Sequence, residues 1–268
     1  MDYRYDLNIS GLIFRICSPF ELCLPECFLP FLIETADGNA DFTFIIITGE
    51  RYDGEGFIQD YQLDTCRKIS RIEPNGRDDM AYIMIPSDYA GQFAKSANWL
   101  LYMALERQLL NFGRVVIHAS AVIYNRSVYV FTAPSGIGKS TQASIWEKYL
   151  NAEIINGDKV ILHDDGKLLT AYGSPIAGSS GIYKNAGADV AAIIRLDKGS
   201  ENSVRTLSTL ESFLMLYSEA VKSDCDEKFN KKLLETLTDY PSRTRFVRLS
   251  CKADQTAADC LLNYLSGL

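Results

Sequence analysis

Residues 131–141 read FTAPSGIGKST: an apolar approach, two glycines two positions apart, one lysine and two hydroxyls. Gly136 and Gly138 can take backbone angles closed to other residues, so consecutive N–H groups can curl around an anion. A helix beginning near Gly138 would add free N–H donors and the positive end of its dipole. Lys139 then reaches a phosphate as a point charge, and the Ser140 hydroxyl suits a Mg2+ ion. Ser135, Ile137 and Thr141 complete the binding segment. The spacing is that of a Walker A loop with Ala133 in place of its first glycine, and it predicts a nucleoside triphosphate site.

A metal-assisted site also needs an acid at the end of a neighbouring strand. EIINGDKVIL supplies Asp158, directly after an apolar run. Asp is common in turns, but a position at the carboxyl edge of a buried strand favours metal binding or proton removal. Asp164 and Asp165 in HDDGK read instead as a hairpin turn.

Four blocks in order, IHASAV, FTAPSGIGKST, INGDKV and YGSPIAG, resemble the C-terminal domain of HPr kinase/phosphorylase and its smaller relatives, among them peptide serine kinases of ribosomal peptide clusters. The resemblance runs from about residue 114 to the C-terminus. It implies an α/β (α+β) fold: a P-loop core like that of phosphoenolpyruvate carboxykinase, preceded here by a small mostly β N-terminal domain. It implies ATP and Mg2+ as cofactors and transfer of a phosphoryl group to a serine hydroxyl of a protein or peptide. Residue by residue, it places Gly136, Gly138, Lys139 and Ser140 on phosphate and metal, and His118 facing the phosphates. It makes Asp158 the second member of an acid pair. Gly157 stands where the first acid would be, which puts the reverse reaction in doubt. The first 110 residues do not resemble that enzyme's own N-terminal domain, so its protein substrate and hexameric assembly do not carry over.

The elements that must hold these residues follow from periodicity and turn chemistry. Residues 12–17, 41–48, 56–63 and 81–86 are β-branched and aromatic and are separated by Gly, Asp and Asn, which predicts a small antiparallel, mostly β domain over 1–86. Apolar residues at helical spacing predict one connecting helix over 87–113, closed by Gly113. The catalytic domain is then 114–268. It opens with two strands joined at YNRS, the second feeding the loop, and continues through a helix over 140–150, further strands, two helices, a last strand and a closing helix. Residues 172–184, rich in Gly and Ser, read as a loop closing on the acceptor, with an ordinary surface connection as the alternative. Ser174, Lys184 and Arg195 are candidate acceptor or phosphate contacts, and Arg243 and Arg245 are weaker ones.

Composition narrows the function. The chain has 268 residues with 47% hydrophobic and 23% charged, the mix of a folded protein with ample core. A net charge of −7 argues against nucleic acid or an anionic membrane as partner. No signal-like segment opens the sequence, and the seven cysteines read as reduced thiols of a cytoplasmic protein. No N-K-x-D guanine signature is present, and a carboxykinase would need more length and more metal ligands than two histidines supply. The expected function is therefore a kinase acting on a Ser hydroxyl of a small protein or peptide. The alternatives are a small-molecule kinase using free serine, and a nucleotide switch or peptide-binding module with weak ATPase activity. Homo-oligomerisation is left open.

Overall fold

The computed structural model describes residues 2–34, 38–96, 102–176, 178, 180–223 and 226–267. The chain is mixed α/β and divides into two compact units, Met1–Gln108 and Leu109–Leu268.

The first unit is a seven-stranded sheet in the order β3-β1-β2-β4-β7-β6-β5. Its strands are β1 (Tyr3–Ile9), β2 (Leu12–Ser18), β3 (Leu32–Ile33), β4 (Phe42–Thr48), β5 (Gly56–Gln62), β6 (Lys68–Pro74) and β7 (Met80–Ile85). The expectation of an antiparallel unit needs correction: β2–β4 and β4–β7 are parallel pairs. Each is joined by a long crossover, which parallel neighbours require. Phe14, Phe42 and Phe44 cluster at its centre, with Phe42 and Phe44 centroids 4.9 Å apart.

Of the helix expected over 87–113, residues 97–101 lie outside the described residues, and the rest forms short helical pieces instead of one helix. Helix α1 (Ala90–Lys95) stops at Ser96, which is extended, and α2 (Leu105–Asn111) begins after Ala104, which is left-handed at φ 44°. The reason is burial. Phe93 and Tyr102 stack with centroids 6.0 Å apart. Nine residues along a straight helix would separate them by roughly 13 Å. The Met103 carbonyl meanwhile accepts from the buried Arg71 guanidinium at 3.2 Å. Gly113, at φ 70°, ends the last turn as expected.

The second unit is an eight-stranded sheet: β8 (Arg114–Tyr124), β9 (Ser127–Thr132), β10 (Glu153–Asn156), β11 (Lys159–Asp164), β12 (Leu169–Gly173), β13 (Gly187–Lys198), β14 (Ser203–Thr206) and β15 (Arg245–Cys251). The pairings β8–β11, β11–β12, β12–β13, β13–β9 and β9–β8 close on themselves, so the sheet is strongly curled. Two cores lie on its two faces. On one, Ile117, Ala119, Val130 and Ile193 meet helices α4 (Thr209–Glu219) and α5 (Glu227–Leu237). On the other, Val122, Phe131 and Ile194 meet α3 (Lys139–Leu150) and α6 (Gln255–Ser266). Among the described residues, no helix is long and apolar enough to cross a membrane.

Candidate functional site

β9 is held by β8 on one side and β13 on the other, so the loop it feeds starts from a fixed point. Gly136 (φ 79°) and Gly138 (φ 124°) adopt the positive angles that suit glycine, and Gly138 caps α3 with no side-chain hydrogen bond. The first N–H groups of that helix are left without a capping side chain. Lys139 folds back over the loop, its Nζ donating to the Ala133 carbonyl at 2.7 Å. Ser135, Gly136, Ser140 and Thr141 are exposed, while Ile137 is half-buried. The helix is anchored by Trp146, fully buried against Tyr124, Tyr129 and Phe131, the nearest ring 4.6 Å away.

Asp158 is placed by a kink. The register of β10 on β8 shifts between Ile154 and Asn156; from there Asn156 pairs with Ala121 and Lys159 with His118 in the same register, so the chain runs from the end of β10 into β11 through a bend at Gly157–Asp158. The bend is tied to β8 by Ala119 N–H donating to Asp158 O (2.9 Å) and Ser120 Oγ donating to Gly157 O (3.0 Å). Asn156 is fully buried; its Oδ1 accepts from the N–H groups of Asp158 and Lys159, at 2.8 Å each. Its Nδ2 donates to the carbonyls of Ser174 (3.0 Å) and Ile176 (3.2 Å). Asx turns of this kind are what an Asn at a strand end makes, so the signal was in the ING triplet, and the sequence reading passed over it.

The segment after β12 returns across this kink. A Cβ on Gly178 would lie 2.6 Å from Asp158 Cγ, and one on Gly157 2.2 Å from Ser180 Oγ. Ser180 therefore occupies the space a side chain at 157 would take. Of the loop expected over 172–184, Ala177 and Ser179 lie outside the described residues; Lys184 N–H donates to Ile155 O at 2.9 Å, pinning its far end.

His118 stands where one lane of the sheet changes occupant. Along β8, Ala119 pairs with Thr132, the last residue before the loop, and Ile117 bridges to Ala220, just past α4. The loop leaves this lane and the end of α4 takes it up, with His118 between. Lost hydration first, then the charges of Lys159 and Lys139, lower the His118 pKa, while Asp158 and Glu219 pull the other way. Glu219, whose charge raises the His118 pKa, is a residue the sequence reading did not single out.

The remaining candidates are dispersed. Ser174 is fully buried and donates to the Lys159 carbonyl at 2.8 Å, so its hydroxyl is engaged inside the scaffold. Lys184 pairs with Glu153 at 2.9 Å on the surface. Arg243 pairs with Asp164 at 2.9 Å beside the hairpin turn, and Arg245 donates to the Leu265 carbonyl at 2.7 Å. Arg195 sits on the α4 face of β13, in register with Thr132. Beside the loop lies a cavity of about 490 Å³ bordered by Gly136, Thr141, Gln142, Lys198 and Lys252. The buried Gln142 Oε1 on its wall has no hydrogen-bond partner among the described residues.

No protein-family model matches the chain, and no curated protein does. Among solved structures, the Hpr(Ser) kinase/phosphatase from Coxiella burnetii is similar at 11% identity and a TM-score of 0.34, over 57% of this chain and 97% of that one.

Proposed function

We propose that the chain is an ATP- and Mg2+-dependent kinase that transfers a phosphoryl group to a serine hydroxyl of a peptide or small protein. The observation that carries this reading is the meeting of strands at Ala119, next to His118: Thr132, which leads into the loop, pairs with it on one side, and its N–H donates to the Asp158 carbonyl on the other. The glycine-cornered loop, with Lys139 folded back on Ala133, and the kink at Asp158 therefore start from neighbouring points of the sheet. Gly136, Gly138 and the first N–H groups of α3 would receive the phosphates, and Lys139 would exchange the Ala133 carbonyl for them. Ser140 and Asp158 offer the hard oxygen donors that Mg2+ takes, so the donor set fits the ion. When bound, Mg2+ would neutralise charge on the phosphate oxygens. Asp158 would orient or deprotonate the acceptor hydroxyl, and a neutral His118 would hydrogen-bond rather than repel Lys139. The cavity beside the loop suits a purine, with Gln142 Oε1 accepting from an exocyclic amino group.

The test is incubation with γ-labelled ATP and serine-containing peptides, with Lys139→Ala and Asp158→Asn as controls. Label moving to serine, lost in both variants, is expected; transfer surviving Asp158→Asn would refute the assigned base. One observation favours a second reading, a nucleotide-binding module with weak hydrolysis: Ser180 stands where the other acid of a pair would be. Tight ATP binding with no transfer to any serine would select it.

A further inference from the structure

Four residues form a row across the sheet of the second unit: Thr132 on β9 pairs with Arg195 on β13, Arg195 with Arg248 on β15, and Arg248 with Arg205 on β14. Residues in register share a face, here the one covered by α4. Two arginines are spoken for: Arg248 by Asp197, and Arg205 by Glu211 at 2.6 Å. Arg195 makes no hydrogen bond or ion pair among the described residues, and the buried Thr132 hydroxyl beside it likewise lacks a partner. Three guanidiniums against two carboxylates leave a positive site on a chain whose net charge is −7.

The three arginines of the row floor a groove. A cavity of about 370 Å³ is bordered by Arg195, Arg205 and Arg248 below and by Leu214, Met215 and Ser218 of α4 above. One turn apart on that helix, Leu210 and Leu214 are 66% and 54% exposed, an apolar rim along the cationic floor. The helix also has a direction. Glu211 in its first turn holds Arg205 on β14, and Ala220 just past its end bridges Ile117 on β8. Eleven helical residues span about 16 Å, close to the roughly 19 Å of four strand spacings. The groove therefore runs from the outer edge of the sheet toward the lane that the glycine-cornered loop leaves.

We infer that this groove binds an acidic peptide segment, an acidic side chain engaging Arg195 and a neighbouring apolar side chain covering Leu210 and Leu214. Arginine's planar fork matches a carboxylate bidentately, and alternating acidic and apolar residues match a floor and rim of opposite character. This deepens the kinase reading, on which it rests for calling the peptide an acceptor; the binding itself is testable apart from it.

The probe is a fluorescein-labelled decapeptide of alternating Glu and Leu, followed by anisotropy, beside its Gln-for-Glu counterpart. Binding of a fluorescent ATP analogue is measured in parallel. The Glu peptide is expected to bind about 10-fold more tightly than the Gln peptide, and more weakly as salt rises. Arg195→Ala should lose about 10-fold for the Glu peptide, Arg195→Lys less, and Leu214→Ser about threefold, all with ATP-analogue affinity unchanged. Lys139→Ala should do the reverse. Equal binding of the two peptides, or full affinity in a folded Arg195→Ala or Arg195→Lys, overturns the proposal. So does displacement by millimolar inorganic phosphate as readily as by unlabelled peptide, which would mean a simple anion pocket. If the unmodified chain bound peptide and no nucleotide, the kinase reading would fall while the groove stood.

Discussion

The side-chain carbonyl of Asn156 accepts the backbone N–H of Asp158 at 2.8 Å, so the backbone that carries the candidate base is fixed by a fully buried amide two residues before it. Asn156→Ala removes that bond together with those to Lys159, Ser174 and Ile176. It leaves buried groups unpaired, which costs about 2–4 kcal/mol. Urea unfolding should show the loss, and any phosphoryl transfer should fall with it because Asp158 is no longer held.

Restoring an acid at Gly157 should fail alone and succeed in company. A Cβ there meets Ser180 Oγ at 2.2 Å, so Gly157→Asp is expected to destabilise by about 1–3 kcal/mol. Adding Ser180→Gly opens the space. Thermal unfolding of the single and double variants checks this, and the double should recover most of the lost Tm.

Lys139→Ala should weaken nucleotide binding with little effect on Tm, because among the described residues the ammonium bonds to the Ala133 carbonyl of its own loop and to nothing else. The expected loss is about 2–4 kcal/mol of nucleotide or transition-state affinity. Calorimetric titration with a non-hydrolysable ATP analogue measures it.

In the first unit Glu73 sits among Arg71, Arg107 and Gln108. Burial opposes its ionisation, but hydrogen bonds from Arg107 and the charge of Arg71 prevail and hold its pKa at about 2, against 4.5 unpaired. A lowered carboxylate binds fewer protons folded than unfolded, so its contribution is present above pH 4.5 and is lost as pH falls toward about 2. That gap is worth about 3 kcal/mol. Glu73→Gln should flatten the acid limb of the stability curve, read by denaturant unfolding between those limits.

For His118 the sign is fixed by the neutral ring. Its pKa lies below 6.5, so the unfolded chain takes up the proton first and stability falls as pH drops from 6.5 toward the lowered value. Only two histidines exist, so ring-proton NMR resolves both. Glu219→Gln should lower the His118 pKa further, since Glu219 raises it.

Local chemistry made several elements legible in the chain itself. The β8–β9 turn is legible because Asn125 and Arg126 both take positive φ in the YNRS stretch, and the loop because glycines recur where φ is positive. Strands that carry charge were missed. β6 contains Arg71, Lys68 and Glu73, and β14 contains Arg205; their charges are satisfied by partners that no local pattern reveals. The helical periodicity over 87–113 was real, but packing Phe93 on Tyr102 outweighed the continuity it suggested.

The identities of the loop, its lysine and the acid after an apolar strand are written in neighbouring residues, because backbone permissiveness and turn chemistry act over a few positions. That Ser180 fills the space at Gly157, that Ala220 bridges Ile117 beside His118, and that Arg195, Arg248 and Arg205 share one row were settled only on folding. Strand register joins residues about fifty positions apart, and a slip of one residue would send each side chain to the opposite face.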